Sequence, residues 1–286
     1  MTVEEALNKG RKVLAEAGIE TAGLDAALIL MKAAGLGRTE LATRRDMELA
    51  APAVKAYMEM VAERAAFKPV QYILNNCEFM GLDFYVDERV LIPRPDTEIL
   101  AGKVIARAKS YNRFNQPVHI LDIGTGSGAL AVAVAYYAKN AKITATDISE
   151  EALEISIANA KANLSPGRVR FLAGDLYEAL HAEEKYDIIM SNPPYIKETE
   201  ELPNSVKLYE PHGALFGGAD GLDFYRKIIG GAKDFLNPDN GEIFLEIGHD
   251  QKEAVRRILL NGGFKDVELF KDLAGIDRVL AACVKK

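Results

Sequence analysis

The residues whose types and spacing could do chemistry most directly are Asn192-Pro193-Pro194-Tyr195. The side-chain oxygen of Asn192 and the backbone carbonyl of Pro193 make two acceptors close together. Proline has no N–H, so the carbonyls around it are less used by a β-ladder. An amide or arylamine –NH2 offers two N–H donors to such a pair, and its lone pair is delocalised into a π-system. Held by both acceptors, that nitrogen lines up with an electrophile, and the contribution is positioning by fixed dipoles. Tyr195 sets an aromatic ring beside it. The plain alternative is a turn at a strand end, since Asn-Pro often starts turns. The full tetrad behind a buried strand, together with a second motif, favours the chemical reading.

That second motif is Leu121-Asp122-Ile123-Gly124-Thr125-Gly126-Ser127-Gly128. Its glycines at a strand-to-helix turn let a ligand come close to the backbone, and N–H groups at a helix start suit an anionic group. Asp147, at the end of the next strand, is placed to accept both hydroxyls of a ribose. Asp175 follows the third strand and could accept from an adenine amino group, with Leu176 packing on the ring. Gly124, Gly126, Ala129 and Asp147 also satisfy the dinucleotide fingerprint, so the turn alone does not separate NAD from S-adenosylmethionine. The Asn-Pro-Pro-Tyr tetrad separates them, because it has no task in hydride transfer. A glycine-rich turn that merely packs tightly is the bland reading.

These residues need strands that end together. Tyr186–Met190 is an apolar run that reads as a buried parallel strand, and ligands in open α/β sheets sit at C-terminal strand ends. Strands are expected at Val118–Ile123, Lys142–Thr146, Val169–Ala173, Asp187–Ser191, which takes in that run, and Glu242–Ile247. Helices are expected over Ser127–Lys139, Glu150–Asn163, Leu222–Leu236 and Gln251–Asn261. The pattern is a doubly wound, mostly parallel sheet. Lys265–Phe270 and Arg278–Val284 have no helix between them and must pair antiparallel, so the last strand is the expected antiparallel member. That terminal hairpin is foreign to the dinucleotide fold.

Residues 1–69 read as a helical domain. Thr2 and Glu5 form a capping box, a second helix runs over Leu24–Ala34 with Leu24, Leu28 and Met31 on one face, and a third spans Pro52–Ala66. It is either a bundle packing on itself or a docking domain for a macromolecular substrate. Residues 70–91 read as a β-hairpin linker, with short strands at Gln71–Leu74, Cys77–Met80 and Leu82–Val86. The third part, 92–286, opens on Ile92-Pro93-Arg94-Pro95-Asp96-Thr97-Glu98, where Asp96 or Thr97 can cap the next helix. Arg94 is a weak candidate for ligand contact. Ile196–Gly221 is a long connection, read as a lid or docking loop, with Glu210 bracing it.

Composition narrows the class. The 286 residues are 49% hydrophobic and 27% charged, which is ordinary globular composition. The formal net charge of −7 argues against a broad phosphate-binding face. No apolar run is long enough to cross a membrane, and Met1-Thr2-Val3-Glu4-Glu5 does not read as a secretory signal. Cys77 and Cys283 lie far apart and match no metal spacing, so a reducing, cytoplasmic setting is expected. His119, His181, His212 and His249 are scattered and offer no base near Asn192.

Taken together, Ile92–Glu98, Leu121–Gly128, Ser191–Tyr195, Tyr209-Glu210-Pro211 and Gly275-Ile276-Asp277-Arg278-Val279 resemble the HemK/PrmC family. These are protein-(glutamine-N5) methyltransferases of class I peptide chain release factors. The resemblance covers nearly the whole chain. It implies a class I S-adenosylmethionine-dependent methyltransferase fold, α/β, behind an N-terminal helical bundle joined by a β-hairpin. By matching positions, Gly124, Thr125, Gly126, Ser127, Gly128, Asp147, Asp175, Leu176 and Asn192 would contact S-adenosylmethionine. Asn192, Pro193, Pro194 and Tyr195 would bind the glutamine of a Gly-Gly-Gln loop, with Asn192, Pro193 and Tyr195 at the reacting nitrogen. No metal, membrane or stable nucleic acid is implied. Leu176 departs from members with an aromatic residue there. The competing readings are a nucleic-acid exocyclic-amine methyltransferase, since Asn-Pro-Pro-Tyr is shared with those enzymes, and a non-catalytic dinucleotide-binding or adaptor protein.

Overall fold

The computed structural model describes residues 1–111 and 116–284. They form two compact units: Met1–Asn76 with Leu202–Glu210, and Cys77–Glu201 with Pro211–Lys286.

The first unit is helical: α1 (Val3–Glu16), α2 (Ala22–Ala34), α3 (Arg38–Thr43), α4 (Ala51–Ala65) and α5 (Val70–Leu74), joined later in the chain by α9 (Asn204–Tyr209). The Thr2 hydroxyl accepts the N–H of Glu5 at 3.2 Å while the Glu5 carboxylate accepts the N–H of Thr2 at 2.9 Å, so the expected capping box starts α1. Gly35, left-handed at φ 65°, ends α2.

The face of α2 differs from expectation. Leu24 is 61% exposed, and the buried stripe is Ala22, Asp25, Ala26, Ile29 and Leu30. Almost every position of this helix is apolar, so periodicity alone does not choose a face. What chooses is Asp25, turned inward to meet Arg64 Nε at 2.7 Å and the Thr21 hydroxyl at 2.8 Å.

Gln71–Leu74 is not a strand. It lies in the short helix α5, with Pro69 at its N-cap and Asn75 left-handed at its end. Tyr72 and Ile73 are both buried, a pair of neighbours that a two-sided strand would have split.

The second unit begins with the hairpin β1 (Cys77–Phe79) and β2 (Leu82–Phe84), paired antiparallel about Met80-Gly81. Then come α6 (Thr97–Ser110), β3 (Val118–Ile123), α7 (Ala129–Tyr137), β4 (Ala141–Asp147), α8 (Glu150–Asn163), β5 (Val169–Ala173) and β6 (Ile188–Ser191). After the long connection follow α10 (Asp223–Phe235), β7 (Glu242–Glu246), α11 (Lys252–Asn261), β8 (Lys265–Lys271) and β9 (Asp277–Cys283).

The seven-stranded sheet has the order β5-β4-β3-β6-β7-β9-β8. β9 runs antiparallel to both of its neighbours and sits between β7 and β8, as expected for the last strand. One core lies under α6 and α7 and includes Phe79 and Phe84 of the hairpin. The other lies under α10 and α11.

Two features of this topology place the site. From β3 the sheet grows outward to β4 and β5 on one side and to β6 and β7 on the other. The β3/β6 boundary is therefore the switch point at whose strand ends a crevice opens. The connection 196–221 is not structureless: it contains α9 and a 3-10 turn at His212–Ala214, elements that sequence patterning missed.

Candidate active site

The two motifs leave neighbouring strands at the same level. Asp122 of β3 pairs with Met190 of β6, and the Ser191 hydroxyl donates to the Ile123 carbonyl at 2.7 Å. Gly124 and Asn192 are the next residues on each strand. The glycine turn and the Asn-Pro-Pro-Tyr segment thus flank one crevice.

The glycine turn is built differently from the expectation of free N–H donors. The Gly124 and Thr125 N–H groups donate to the Thr146 carbonyl at 2.9 and 3.0 Å, and Gly126 donates to Asp147 Oδ2 at 2.8 Å. Gly128 donates to the Thr125 carbonyl at 2.8 Å. These donors brace the turn instead of waiting for an anion. What the glycines supply is room. Gly128 has φ 81°, and a Cβ there would come within 2.8 Å of the Ser156 Cβ on α8. A Cβ on Gly124 or Gly126 would instead project into open space.

Asp147 closes β4 with both oxygens engaged, Oδ2 by Gly126 and Oδ1 by the Ser149 N–H at 2.9 Å. Each oxygen keeps a second lone pair, so a vicinal diol can still be accepted. Burial raises the Asp147 carboxyl above its ordinary value, opposed by backbone hydrogen bonds from Ser149, Gly126 and Ile148. Ile148, which sequence reasoning passed over, is 73% exposed beside it. An isoleucine this bare at a strand tip offers an apolar face to a flat ring; the only signal in the sequence was its place after Asp147.

Asp175 and Leu176 follow β5, where the Gly174 N–H donates to the Asp147 carbonyl at 3.0 Å. Leu176 is left-handed at φ 50°, uncommon for a branched side chain, and its carbonyl accepts from the Thr146 hydroxyl at 3.2 Å. Behind the turn, Asp122 is buried, and burial pushes its carboxyl up to about 7, against a hydrogen bond from the Thr125 hydroxyl at 2.7 Å. The site thus joins an open glycine turn, a carboxylate with lone pairs to spare and an exposed apolar side chain. That donor set fits a nucleoside carrying a short charged tail, and S-adenosylmethionine is such a molecule.

On the other flank, Pro193 is buried, while Asn192, Pro194 and Tyr195 are half-buried. Neither the Asn192 nor the Pro193 carbonyl accepts a backbone hydrogen bond among the described residues. The segment is clamped from behind. Gln251 Nε2 donates to the Tyr195 carbonyl at 2.9 Å, and Gly221, at φ 75°, lies so close to that carbonyl that a side chain would collide with it.

The Asn192 side chain is held as well: its Nδ2 donates to the Thr97 hydroxyl at 3.1 Å. Thr97 is the first residue of α6, and neither it nor Asp96 caps that helix as expected. Asp96 makes no side-chain cap bond, and its carboxylate pairs with Arg278 at 3.0 Å. Asp96 and Thr97 are therefore tied to Arg278 and to the Asn192 side chain instead of capping the helix. A second residue missed from sequence is Glu246, the last of β7 and 1% exposed. Burial raises its carboxyl to about 7, opposed by a hydrogen bond from Thr97, by Arg278 and by Tyr195. The Tyr195 hydroxyl lies 3.5 Å from Glu246 Oε1, at the outer edge of hydrogen bonding. Burial and the Glu246 charge together raise the Tyr195 phenol.

A mostly parallel seven-stranded sheet with an inserted antiparallel β9, and a glycine turn after β3 answered by an acidic residue after β4, defines a class I S-adenosylmethionine-dependent methyltransferase. The comparisons agree and narrow the class. The PrmC N-terminal domain family matches residues 5–74, and the methyltransferase small domain family matches residues 108–207. The release factor glutamine methyltransferase of Clostridium acetobutylicum is 42% identical over 285 residues, 99% of this chain and 98% of that protein. The protein of the same name from Geobacter sulfurreducens is 40% identical over 281 residues, 98% and 95% of the two chains. A solved methyltransferase from Pyrococcus furiosus shares the fold at a TM-score of 0.53 and 24% identity, over 73% of this chain and 91% of that one. The chain belongs to the release factor glutamine methyltransferase family.

Proposed function

We propose that this enzyme methylates the side-chain amide nitrogen, N5, of the glutamine in the Gly-Gly-Gln motif of class I peptide chain release factors. The observation that carries the reading is the side-by-side exit of Gly124 and Asn192 from β3 and β6, locked by Ser191 on Ile123. When bound, S-adenosylmethionine supplies a methyl group on a cationic sulfur as the electrophile. Gly124 to Gly128 leave room for it, Asp147 accepts its ribose hydroxyls, Ile148 and Leu176 cover its adenine, and Asp175 accepts from the adenine amino group.

The protein's own work lies on the nucleophile. Asn192 Oδ1 and the Pro193 carbonyl accept the two N–H groups of the glutamine amide, and Tyr195 packs beside it. Both N–H bonds then lie along fixed acceptors, and the nitrogen is presented for a direct in-line displacement. A new N–C bond forms as the methyl–sulfur bond breaks. One amide proton leaves to water as transfer completes, so no side chain need act as a strong base. The helical unit docks the release factor in this reading. A release-factor substrate fits a cytoplasmic enzyme.

The test is incubation with labelled S-adenosylmethionine, a purified release factor and total RNA. Label in the release factor supports the proposal. Label in RNA alone would replace it with the nucleic-acid amine reading.

A further inference from the structure

We infer that Asn159 of α8 is a positioning residue for the cofactor: its side-chain amide fixes the far end of the glycine turn and ties that turn to the chain leaving β2. The inference rests on the reading of Gly124 to Gly128 as the S-adenosylmethionine turn, and it names what holds that turn in place.

Asparagine is a weak helix former, and a buried amide is costly unless it is bonded. Asn159 lies inside a helix and is 2% exposed. Its Nδ2 donates to the Ser127 carbonyl at 2.8 Å and to the Tyr85 carbonyl at 2.9 Å, and its Oδ1 accepts the Tyr85 N–H at 2.8 Å. Both donor hydrogens are used, and turning the amide over would break all three bonds. One side chain thus pairs with both backbone groups of Tyr85, as a neighbouring strand would, and gives its other donor to the glycine turn.

The same helix meets the turn at a second point. Ser156, three residues earlier on the same face and fully buried, lies against Gly128. The helix also starts at the other half of the site. Ser149 caps it by accepting the Ala152 N–H at 3.1 Å, and the Ser149 N–H donates to Asp147 Oδ1 at 2.9 Å. α8 therefore runs from Asp147 to the glycine turn. Gly126 on Asp147 Oδ2 fixes the near end of the turn, and Asn159 on Ser127 fixes the far end. A ligand that meets both Asp147 and the turn depends on that spacing. The acceptors at Asn192 and Pro193 follow β6 and do not. Loss of Asn159 should therefore weaken cofactor binding much more than it slows transfer. Through Tyr85, the exit of the hairpin belongs to the same frame, so filling the site should steady the Tyr85 N–H.

The test uses the full-length enzyme. Asn159→Leu keeps much of the shape and removes the three bonds. Its Kd for S-adenosylmethionine by calorimetry should rise about tenfold, the worth of one neutral hydrogen bond to the turn. Its kcat at saturating cofactor and release factor should change far less. In Asn159→Asp a carboxylate faces the two carbonyls with no proton to give, and acid returns one O–H donor. The ratio of variant to wild-type Kd should shrink toward acid pH in Asn159→Asp and stay flat in Asn159→Leu, a pattern that lost stability alone does not produce. In the wild type, saturating S-adenosylmethionine should slow hydrogen exchange of the Tyr85 N–H several-fold more than that of the Met80 N–H, which donates to Glu98 of α6 at 2.6 Å. Wild-type cofactor affinity in Asn159→Leu, or equal slowing at Tyr85 and Met80, overturns the inference. If neither variant folds, the exchange measurement on the wild type still decides. Unchanged affinity in Asp147→Ala would instead sink the reading on which the inference stands.

Discussion

The Ser191 hydroxyl donates to the Ile123 carbonyl at 2.7 Å, tying the last residue of β6 to the last residue of β3. Everything the site does follows from that tie. One residue further on, each strand releases a motif, the glycine turn from β3 and Asn-Pro-Pro-Tyr from β6. The tie brings the two to the same crevice.

In the proposed reaction, Asn192 supplies the side-chain acceptor for the amide to be methylated. Asn192→Ala removes it and should lower kcat by about 10²-fold or more, as expected for one preorganised polar contact. S-adenosylmethionine affinity should change much less. Steady-state rates with a release factor substrate check the first part and calorimetry the second. Full activity in the variant would remove Asn192 from the reaction.

Asp147 braces the glycine turn through Gly126, and in the proposed function it accepts the ribose hydroxyls. Asp147→Ala should weaken S-adenosylmethionine binding at least tenfold by calorimetry. Asp147→Asn should fall between the two, because its one amide oxygen keeps part of the acceptor capacity. Unchanged affinity in Asp147→Ala would take the residue out of the cofactor site.

The buried carboxylates predict how stability varies with pH. Burial raises Asp122 and Glu246 each to about 7. A carboxyl raised on folding holds its proton more tightly in the native state. Its stabilising contribution is full below the unfolded value of roughly 4 and is lost as pH rises through the folded value. The thermal midpoint should therefore fall between pH 5 and pH 8, and Asp122→Asn should flatten that fall. A variant whose midpoint drops as steeply as the wild type would show that Asp122 does not contribute to it.

In the helical unit, Gly10 of α1 sits against the hydroxyl of Tyr57, and a Cβ there would overlap it. Tyr57 is fully buried, and its hydroxyl has no hydrogen-bond partner among the described residues. Gly10→Ala should destabilise by about 1–3 kcal/mol through overpacking. Tyr57→Phe should be neutral or stabilising, because it deletes a buried polar group that nothing satisfies. The double variant should recover much of the Gly10→Ala loss. Chemical denaturation measures all three, and strong destabilisation by Tyr57→Phe alone would mean that the hydroxyl is satisfied after all.

The sheet was legible because its strands are short apolar runs between turn residues, and Val118–Ile123 and Val169–Ala173 came out at their sequence-read bounds. The Asn-Pro-Pro-Tyr tip was legible because two prolines leave a chain few options. Local patterning failed where a distant partner decides. The buried face of α2 is set by Arg64, thirty-nine residues from Asp25. The helix at Val70–Leu74 is one turn, too short for period two and period 3.6 to differ. Thr97 and Glu246 were invisible for the same reason. One read as a helix cap and the other as the end of a strand, and only the fold brings them together behind Asn192.

The most direct measurement is to react the enzyme with S-adenosylmethionine and a purified release factor, digest the product and locate the added methyl group by mass spectrometry. The account predicts one methyl on the side-chain nitrogen of the glutamine in Gly-Gly-Gln, nearly absent when Asn192→Ala replaces the wild type. A methyl on any other residue, or the same yield at that glutamine from Asn192→Ala, would contradict it.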